Sequence, residues 1–274
     1  MKTDSNLKRA AIGLAALSLF AAASAGAQGL FDDAAPPKAE ARLVAGWEEA
    51  EGLRLAGLVV DLAPGWKTYW RKPGEAGIPP SFDWSGSENL AGVEVIWPAP
   101  VAFHTFDMLT IGYKDRMTLP LRIAAEDPSR PVRLSLALFY GLCEDICIPA
   151  RADLSLEIAP GAAPAGAAAL KAALEAAPAP ASGAARCAFD QTAAVGRLET
   201  RIALDEAPAS APIVVAEGQD GLWFGPMEAR IEGEEIVAAG SMEMEPGLWI
   251  DRGAIRLTLI GDGGAAEILG CPAG

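Results

Sequence analysis

Histidine is almost absent from this chain of 274 residues, which contains only His104. A zinc site needs about four ligands in tetrahedral geometry, so a lone histidine makes His104 a poor candidate for a metal ligand. The sequence also has no G-x-S-x-G nucleophile motif and no glycine loop of the kind that holds phosphate. Histidine-dependent hydrolases and nucleotide-binding enzymes are therefore disfavoured, and no cofactor or metal is predicted.

Basic residues are also scarce, with 22 Lys and Arg against 36 Asp and Glu, which gives a net charge of −14. A surface this acidic repels phosphate backbones, so nucleic acid is excluded as an expected partner. Hydrophobic residues make up 51% and charged residues 21% of the chain, which is typical of a protein with a packed core. The length favours two domains.

Long hydrophobic runs are missing, since no segment reaches 18 uninterrupted apolar residues. The longest run, at 10–23, follows a basic start and precedes a small-x-small site at 25–27. This pattern predicts a signal peptide at 1–27, cleaved before Gln28. We therefore expect a periplasmic protein, in a compartment where paired cysteines form disulfides.

From Glu40 to about Pro160 the sequence alternates between apolar and polar residues, which is typical of β-strands. Pro120 indicates an edge strand or a bulge within this segment. Two alternating runs separated by a short turn predict an antiparallel hairpin, and short strands at this spacing favour a β-sandwich. The predicted strands are 53–61, 93–97, 117–123, and the hairpin partners 132–140 and 148–158.

Pro, Gly and Ala dominate the next segment, 161–185, which we interpret as a linker with a short helix at 167–177. Strand patterns return afterwards, at 196–204, 211–217, 231–239 and 254–260. The predicted organisation is thus an all-β protein with a first sandwich domain at 28–160 and a second at 186–274. A unit of about 90 residues is small enough to benefit from a disulfide.

The four cysteines fall into two pairs by position. Cys187 and Cys271 lie at the two ends of the second β-rich unit, whereas Cys143 and Cys147 flank the hairpin turn in the first. Pairing within each unit is the simplest of the three possible connectivities. Closing the long loop stabilises the fold by about 4–5 kcal/mol, but closing the five-residue loop contributes only ~2 kcal/mol. We therefore expect a structural Cys187–Cys271 disulfide and a short bridge that is easily broken.

Three interpretations of the Cys143–Cys147 segment remain open on residue patterns alone. The pair could be a structural clip on a turn, or a redox-active dithiol. With a thioether such as Met108, the two thiols could also form a soft Cu(I) site linked to metal tolerance. Glu144 and Asp145 lie between the cysteines and raise the expected thiol pKa through like charge, so a redox-active pair would need a specific partner.

Three motifs occur in order along the first unit: GWKTYWRKP at 65–73, YKDRMTLP at 113–120 and YGLCEDICIP at 140–149. Together they resemble the N-terminal periplasmic domain of the thiol:disulfide interchange protein DsbD, and especially its ScsB-type relatives. The resemblance covers about 40–159. It implies an immunoglobulin-like sandwich, and we expect the second unit to be immunoglobulin-like as well.

The resemblance also implies roles for particular residues. Cys147 would form the mixed disulfide with partners, and Cys143 would resolve it. A cap loop bearing a phenylalanine shields the cysteine pair in this family, and its position corresponds here to His104, Thr105, Phe106, Asp107 and Met108. A lid of this kind would protect a reduced pair from unspecific oxidation.

The family relays electrons from a membrane-embedded domain to periplasmic disulfide proteins. By this resemblance, the expected partners are thioredoxin-like or disulfide-isomerase-like proteins, with a separate membrane-embedded thiol reductase as electron donor. The predicted activity is that of a protein-disulfide reductase of the relay type. A non-catalytic module that binds a partner through its sandwich is the alternative from another functional class.

Overall fold

The computed structural model describes residues 38–105, 107–163, 166–192, 195–205, 208–261 and 263–274, and the predicted signal peptide lies outside them. In these residues the chain forms 18 strands and one α-helix, so the all-β prediction is confirmed. In chain order the strands are β1 (Ala39–Ala50), β2 (Leu53–Leu62), β3 (Lys67–Gly74), β4 (Ser81–Asp83), β5 (Leu90–Val95), β6 (Val101–Thr105), β7 (Met108–Lys114), β8 (Arg116–Ala125), β9 (Val132–Cys143), β10 (Cys147–Ile158), β11 (Ala179–Pro180), β12 (Gly183–Thr192), β13 (Val195–Leu204), β14 (Ile213–Glu217), β15 (Leu222–Glu232), β16 (Glu235–Met244), β17 (Arg256–Gly261) and β18 (Gly264–Leu269).

Two sheets form the first sandwich. Sheet A has the strand order β1-β2-β8-β5, and sheet B has the order β10-β9-β3-β7-β6 with β4 paired to β9. Alternating apolar residues of both sheets meet in one core, as the period of two in these strands requires. The largest fully buried side chains of this core include Trp70, Leu58, Met117, Leu121, Leu134 and Leu136.

Two further sheets form the second sandwich. Sheet C has the order β11-β18-β17-β14, in which β11 runs parallel to β18, and sheet D has the order β12-β13-β16-β15. Their core contains Leu198, Ile202, Ile236, Leu257 and the two cysteines Cys187 and Cys271. Parts of the segment predicted as a linker are strands here, because β11 and the start of β12 lie within 161–185.

The single helix of the described residues, α1 (Ala167–Glu175), contacts β8 and β1 of sheet A. Its Leu170 is fully buried. A Cβ atom added at Gly46 would lie 3.0 Å from Leu170 Cδ1, so glycine in β1 gives the helix its close approach to the sheet. In the described part of the chain, no helix has the length and apolar character needed to cross a membrane.

The predicted strand at 231–239 is wrong, because a hairpin turn divides it. Ile231 pairs with Ile236 and Glu232 with Glu235, so β15 ends and β16 begins within the predicted strand. Gly233 has a φ of +64°, a left-handed conformation that glycine adopts without steric cost. Only two residues, Gly233 and Glu234, form the turn, so the residues typical of strands on its two sides were interpreted as one segment.

Pro120 lies in a central strand rather than at an edge or in a bulge. It pairs with Gly57 of β2 without a register shift, and β8 is also paired with β5. The carbonyl of Pro120 accepts a hydrogen bond from the Ile96 N–H (2.9 Å), just beyond the last pair between β5 and β8. The proline nitrogen therefore faces the end of β5, where the missing N–H costs no ladder hydrogen bond.

Candidate functional site

The predicted hairpin carries the first pair of cysteines at its tip. Strands β9 and β10 pair without a register shift from Val132 and Ile158 to Cys143 and Cys147. Cys143 is the last residue of β9, Cys147 is the first residue of β10, and a disulfide joins them across a Cα–Cα distance of 4.1 Å. The hairpin therefore places both sulfur atoms at one end of sheet B.

The two cysteines differ in their access to solvent. Cys143 is fully buried, whereas Cys147 is partly exposed. The three residues between them are exposed, and Ile146 has 72% of its surface in contact with solvent. An approaching protein would therefore meet the hairpin tip and Cys147 before it reached Cys143.

Two aromatic residues, Tyr69 of β3 and Phe103 of β6, pack with the disulfide. Tyr69 is fully buried, and its hydroxyl donates a hydrogen bond to Cys147 Sγ over 3.0 Å. Burial raises the pKa of the Tyr69 phenol, because a phenolate in this position would lose its hydration. The disulfide thus lies against a protonated hydroxyl group.

Two glycines leave room for the Tyr69 ring. A Cβ atom added at Gly77 would lie 2.6 Å from Tyr69 Cδ1, and one added at Gly141 would lie 2.7 Å from Cδ2. The neighbouring Thr68 donates a hydrogen bond from Oγ1 to the Gly141 carbonyl (2.8 Å), which connects β3 with β9. The ring position is therefore fixed by close packing on both edges.

Two lysines bring positive charge to the same end of sheet B. Lys67 pairs with Cys143 in the ladder between β3 and β9, and with Lys114 in the ladder between β3 and β7. Their ammonium groups lie 5.4 Å and 5.6 Å from the centre of the Phe103 ring, within the range of cation–π attraction. They oppose the negative charges of Glu144 and Asp145 at the hairpin tip.

The predicted cap residues fall at the turn between β6 and β7. Thr105 pairs with Met108 at the end of this hairpin, and Asp107 has a φ of +62°. His104, Asp107 and Met108 are exposed. Phe106 lies outside the described residues. Among the described phenylalanines, Phe103 packs with the cysteines, and sequence reasoning missed it.

Among the described residues, no group of three or more His, Cys, Asp or Glu side chains could hold a metal ion. Met108, the thioether considered for a Cu(I) site, is exposed at the start of β7.

The second disulfide, Cys187–Cys271, joins residues that are both buried in the core of the second sandwich. The Arg252 guanidinium donates hydrogen bonds to the carbonyls of Cys187 (2.9 Å) and Cys271 (3.3 Å). The Cys187 N–H donates in turn to the Pro272 carbonyl (2.8 Å). This bridge closes the ends of the second sandwich and is inaccessible to an approaching sulfur atom.

Comparisons with known proteins agree with this geometry. Residues 34–158 match the family model of the N-terminal domain of the thiol:disulfide interchange protein DsbD, which confirms the resemblance inferred from the three motifs. The crystal structure of the N-terminal periplasmic domain of ScsB from Proteus mirabilis is similar, with a TM-score of 0.66 and 22% identity. The similarity covers 86% of this chain and 94% of the ScsB chain, so both sandwiches have counterparts there. The immunoglobulin-like fold of the first sandwich is thereby confirmed. No curated protein matches the chain.

Proposed function

From the match of residues 34–158 to the thiol:disulfide interchange family, we propose that this protein relays reducing equivalents through Cys143 and Cys147. A membrane-embedded thiol reductase supplies the electrons, and periplasmic thioredoxin-like or disulfide-isomerase-like proteins receive them. The observation that supports this best is a partly exposed cysteine, Cys147, that forms a disulfide with the buried Cys143 at the tip of a regular hairpin.

Loading the domain with electrons takes two exchange steps. A thiolate of the donor attacks Cys147 Sγ, the Cys143–Cys147 bond breaks, and Cys143 leaves as a thiolate that takes up a proton. The second donor thiolate then attacks the donor sulfur of the mixed disulfide and releases Cys147. The donor is oxidised to a disulfide, and the domain gains two electrons.

Delivery reverses this sequence with a different partner. The Cys147 thiolate attacks the disulfide of the receiving protein, from which one sulfur leaves as a thiolate. Cys143 then attacks Cys147 Sγ and releases the second sulfur of the partner. The domain returns to the disulfide form, and the receiving protein gains two thiols.

His104, Thr105, Phe106, Asp107 and Met108 form the cap in this proposal. Phe103, which packs with the cysteines, lies two residues before the end of β6, so a lid at the turn between β6 and β7 would be close to the disulfide. Such a lid would expose Cys147 only to partners whose surface displaces it.

The proposal includes export, with cleavage of the signal peptide after residue 27 and function in the periplasm. The mature protein then comprises the redox sandwich (28–160), the connection with the helix (161–185) and the second sandwich (186–274).

The test is reduction of the mature, oxidised protein by a reduced thioredoxin-like dithiol protein, with alkylation of new thiols followed by mass spectrometry. We expect two labelled cysteines, Cys143 and Cys147, and no labelling of the second pair. Cys147→Ser should abolish exchange, and Cys143→Ser should accumulate a mixed disulfide. The double variant Cys187→Ser/Cys271→Ser is the matched control and should still exchange.

If the Cys143–Cys147 pair stays oxidised against such donors over a range of potentials, the relay function is wrong. Partner binding that persists in Cys147→Ser without any exchange would instead identify a non-catalytic binding module.

A further inference from the structure

The hydroxyl of Tyr69 is directed at the sulfur that the proposed function uses. It lies 3.0 Å from Cys147 Sγ, and the whole residue is shielded from solvent. In the disulfide form this sulfur is a weak, neutral acceptor. In the reduced form the same sulfur can carry a full negative charge, and hydrogen bonds to charged acceptors are roughly twice as strong.

Contacts away from the two sulfur atoms also fix the position of the Tyr69 hydroxyl. Gly77 and Gly141 pack against opposite edges of the Tyr69 ring, and the bond from Thr68 to the Gly141 carbonyl connects the backbones of β3 and β9. None of these contacts involves a sulfur atom. The donor therefore remains in place when the disulfide opens, without reorganisation at the moment of reaction.

Tyr69 acts here as a donor and not as a base. Burial favours the neutral phenol, so the group keeps its proton at neutral pH. Its O–H can then stabilise a neighbouring thiolate and cannot accept the thiol proton.

We propose that Tyr69 is a catalytic residue of the exchange reaction, an inference that rests on the proposed function. Its hydroxyl donates a hydrogen bond to Cys147 Sγ and stabilises the thiolate form. The stabilisation acts when Cys147 attacks the disulfide of a partner, and again when Cys147 leaves the mixed disulfide with the electron pair of the broken S–S bond. No proton moves from Tyr69 in either step.

Other charges also act on Cys147, and the experiment must hold them constant. Glu144 and Asp145 on the hairpin tip disfavour the thiolate. Lys67 on β3 and Lys114 on β7 favour it, and β6 carries the exposed His104. Replacing Tyr69 with phenylalanine removes one oxygen atom and leaves all five groups unchanged.

The test measures the pKa of the Cys147 thiol in the full mature chain carrying Cys143→Ser. Cys147 is then the one free thiol, because Cys187 and Cys271 form a disulfide. Thiolate absorbance at 240 nm against pH gives the pKa. We expect Tyr69→Phe to raise it by about one to two units, as loss of a hydrogen bond to a charged group implies. Alkylation by iodoacetamide at pH 7 should slow by about tenfold.

Tyr113→Phe is the matched control. The Tyr113 hydroxyl is also buried, but it donates to the Pro98 carbonyl (2.9 Å), so its loss should leave the Cys147 pKa unchanged. A second probe retains the ring and hydroxyl: 3-fluorotyrosine at position 69 is a stronger donor and should lower the Cys147 pKa.

An unchanged pKa with both Tyr69→Phe and fluorotyrosine would overturn the inference and leave Tyr69 as a packing residue. Neither measurement needs a partner protein. A shifted Cys147 pKa without exchange would therefore support the role of Tyr69 and contradict the relay function. Exchange without a shift in this pKa would support the relay function and contradict the role of Tyr69.

Discussion

Arg71 and Glu217 form a bidentate ion pair that joins the two sandwiches. Arg71 Nε and Nη2 in β3 donate to the Glu217 carboxylate in β14 over 3.0 Å and 2.8 Å, and Nη2 also donates to Glu267 Oε1 in β18 (2.7 Å). The guanidinium carbon lies 4.1 Å from the centre of the Trp70 ring. Although burial disfavours the charged form, the two carboxylates raise the pKa of Arg71. Strand β3 thus carries both Tyr69, beside the Cys143–Cys147 disulfide, and the anchor to the second sandwich.

Replacement of Arg71 should weaken the whole protein. Arg71→Met removes the cation that bonds both Glu217 and Glu267, and the remaining ion pair of Glu267, with Arg256, spans 3.9 Å. Loss of one member of a buried ionic group costs about 3–5 kcal/mol. Urea unfolding followed by circular dichroism measures the loss. Arg133→Met is the control: Arg133 bridges Glu88 and Glu157, but 61% of its side chain is exposed, so about 1 kcal/mol or less is expected. Equal effects of the two variants would contradict a special role for the Arg71 cluster.

The two disulfides should contribute unequally to stability. Cys187→Ala/Cys271→Ala opens a loop with ends 84 positions apart, and should lower the free energy of unfolding by about 4–5 kcal/mol. Cys143→Ala/Cys147→Ala opens a loop with ends only four positions apart, which contributes about 2 kcal/mol. Chemical unfolding under non-reducing conditions compares the two. A larger loss from the Cys143/Cys147 variant would identify that pair as the structural bridge.

Alkaline pH should destabilise the fold through its tyrosines. The chain has three tyrosines, and burial raises the pKa of Tyr69, Tyr113 and Tyr140 in the folded state. In the unfolded chain they ionise near pH 10. Below pH 10, the three tyrosines contribute fully to the stability of the fold. As the pH rises above 10, the unfolded state loses protons that the folded state retains, and stability falls.

Absorbance at 295 nm and far-ultraviolet circular dichroism, followed together against pH, test this prediction. Tyrosinate should appear only as the secondary structure is lost. Ionisation of all three tyrosines near pH 10 in a protein that remains folded would show that they are not shielded.

A methyl group at Gly141 should displace Tyr69. The added Cβ would lie 2.7 Å from Tyr69 Cδ2 and 2.8 Å from Ile78 Cβ, and overpacking of this kind costs about 1–3 kcal/mol. The reactivity of the reduced pair towards iodoacetamide should change as well, since the hydroxyl moves with the ring. Gly92→Ala is the control, because Gly92 is exposed in a strand and a Cβ atom added there would have no neighbour within 4 Å. This variant should leave the free energy of unfolding unchanged or raise it by up to about 1 kcal/mol. If Gly141→Ala changed neither the stability nor the reactivity, the Tyr69 ring would have free space beside Gly141.

The sequence predicted the hairpin of β9 and β10 well, because side chains alternate over 132–140 in β9 and 148–158 in β10. The pairing of the four cysteines also followed from their order along the chain. The strand pattern failed at 231–239, because only two residues separate the end of β15 from the start of β16. It also missed β3, whose apolar and charged residues do not alternate cleanly.

The surroundings of the disulfide could not be predicted in this way. Tyr69 precedes Cys147 by 78 positions, and only the pairing of β3 with β9 brings its hydroxyl to the sulfur. Phe103 gave a possible signal, since it lies next to the motif-derived cap position, but Phe106 matched the family pattern better. The link from Arg71 to Glu217 spans 146 positions and depends on how two sandwiches pack, which no local pattern encodes.

The ladder between β9 and β10 extends to Cys143 and Cys147 themselves, so backbone hydrogen bonds already hold these two residues opposite each other. Breaking the sulfur–sulfur bond therefore releases no strand from the sheet. The thiols stay side by side in the open form, ready to recombine at a high effective concentration. In the proposed relay, the scaffold would therefore remain the same while the cysteine pair gains and loses two electrons.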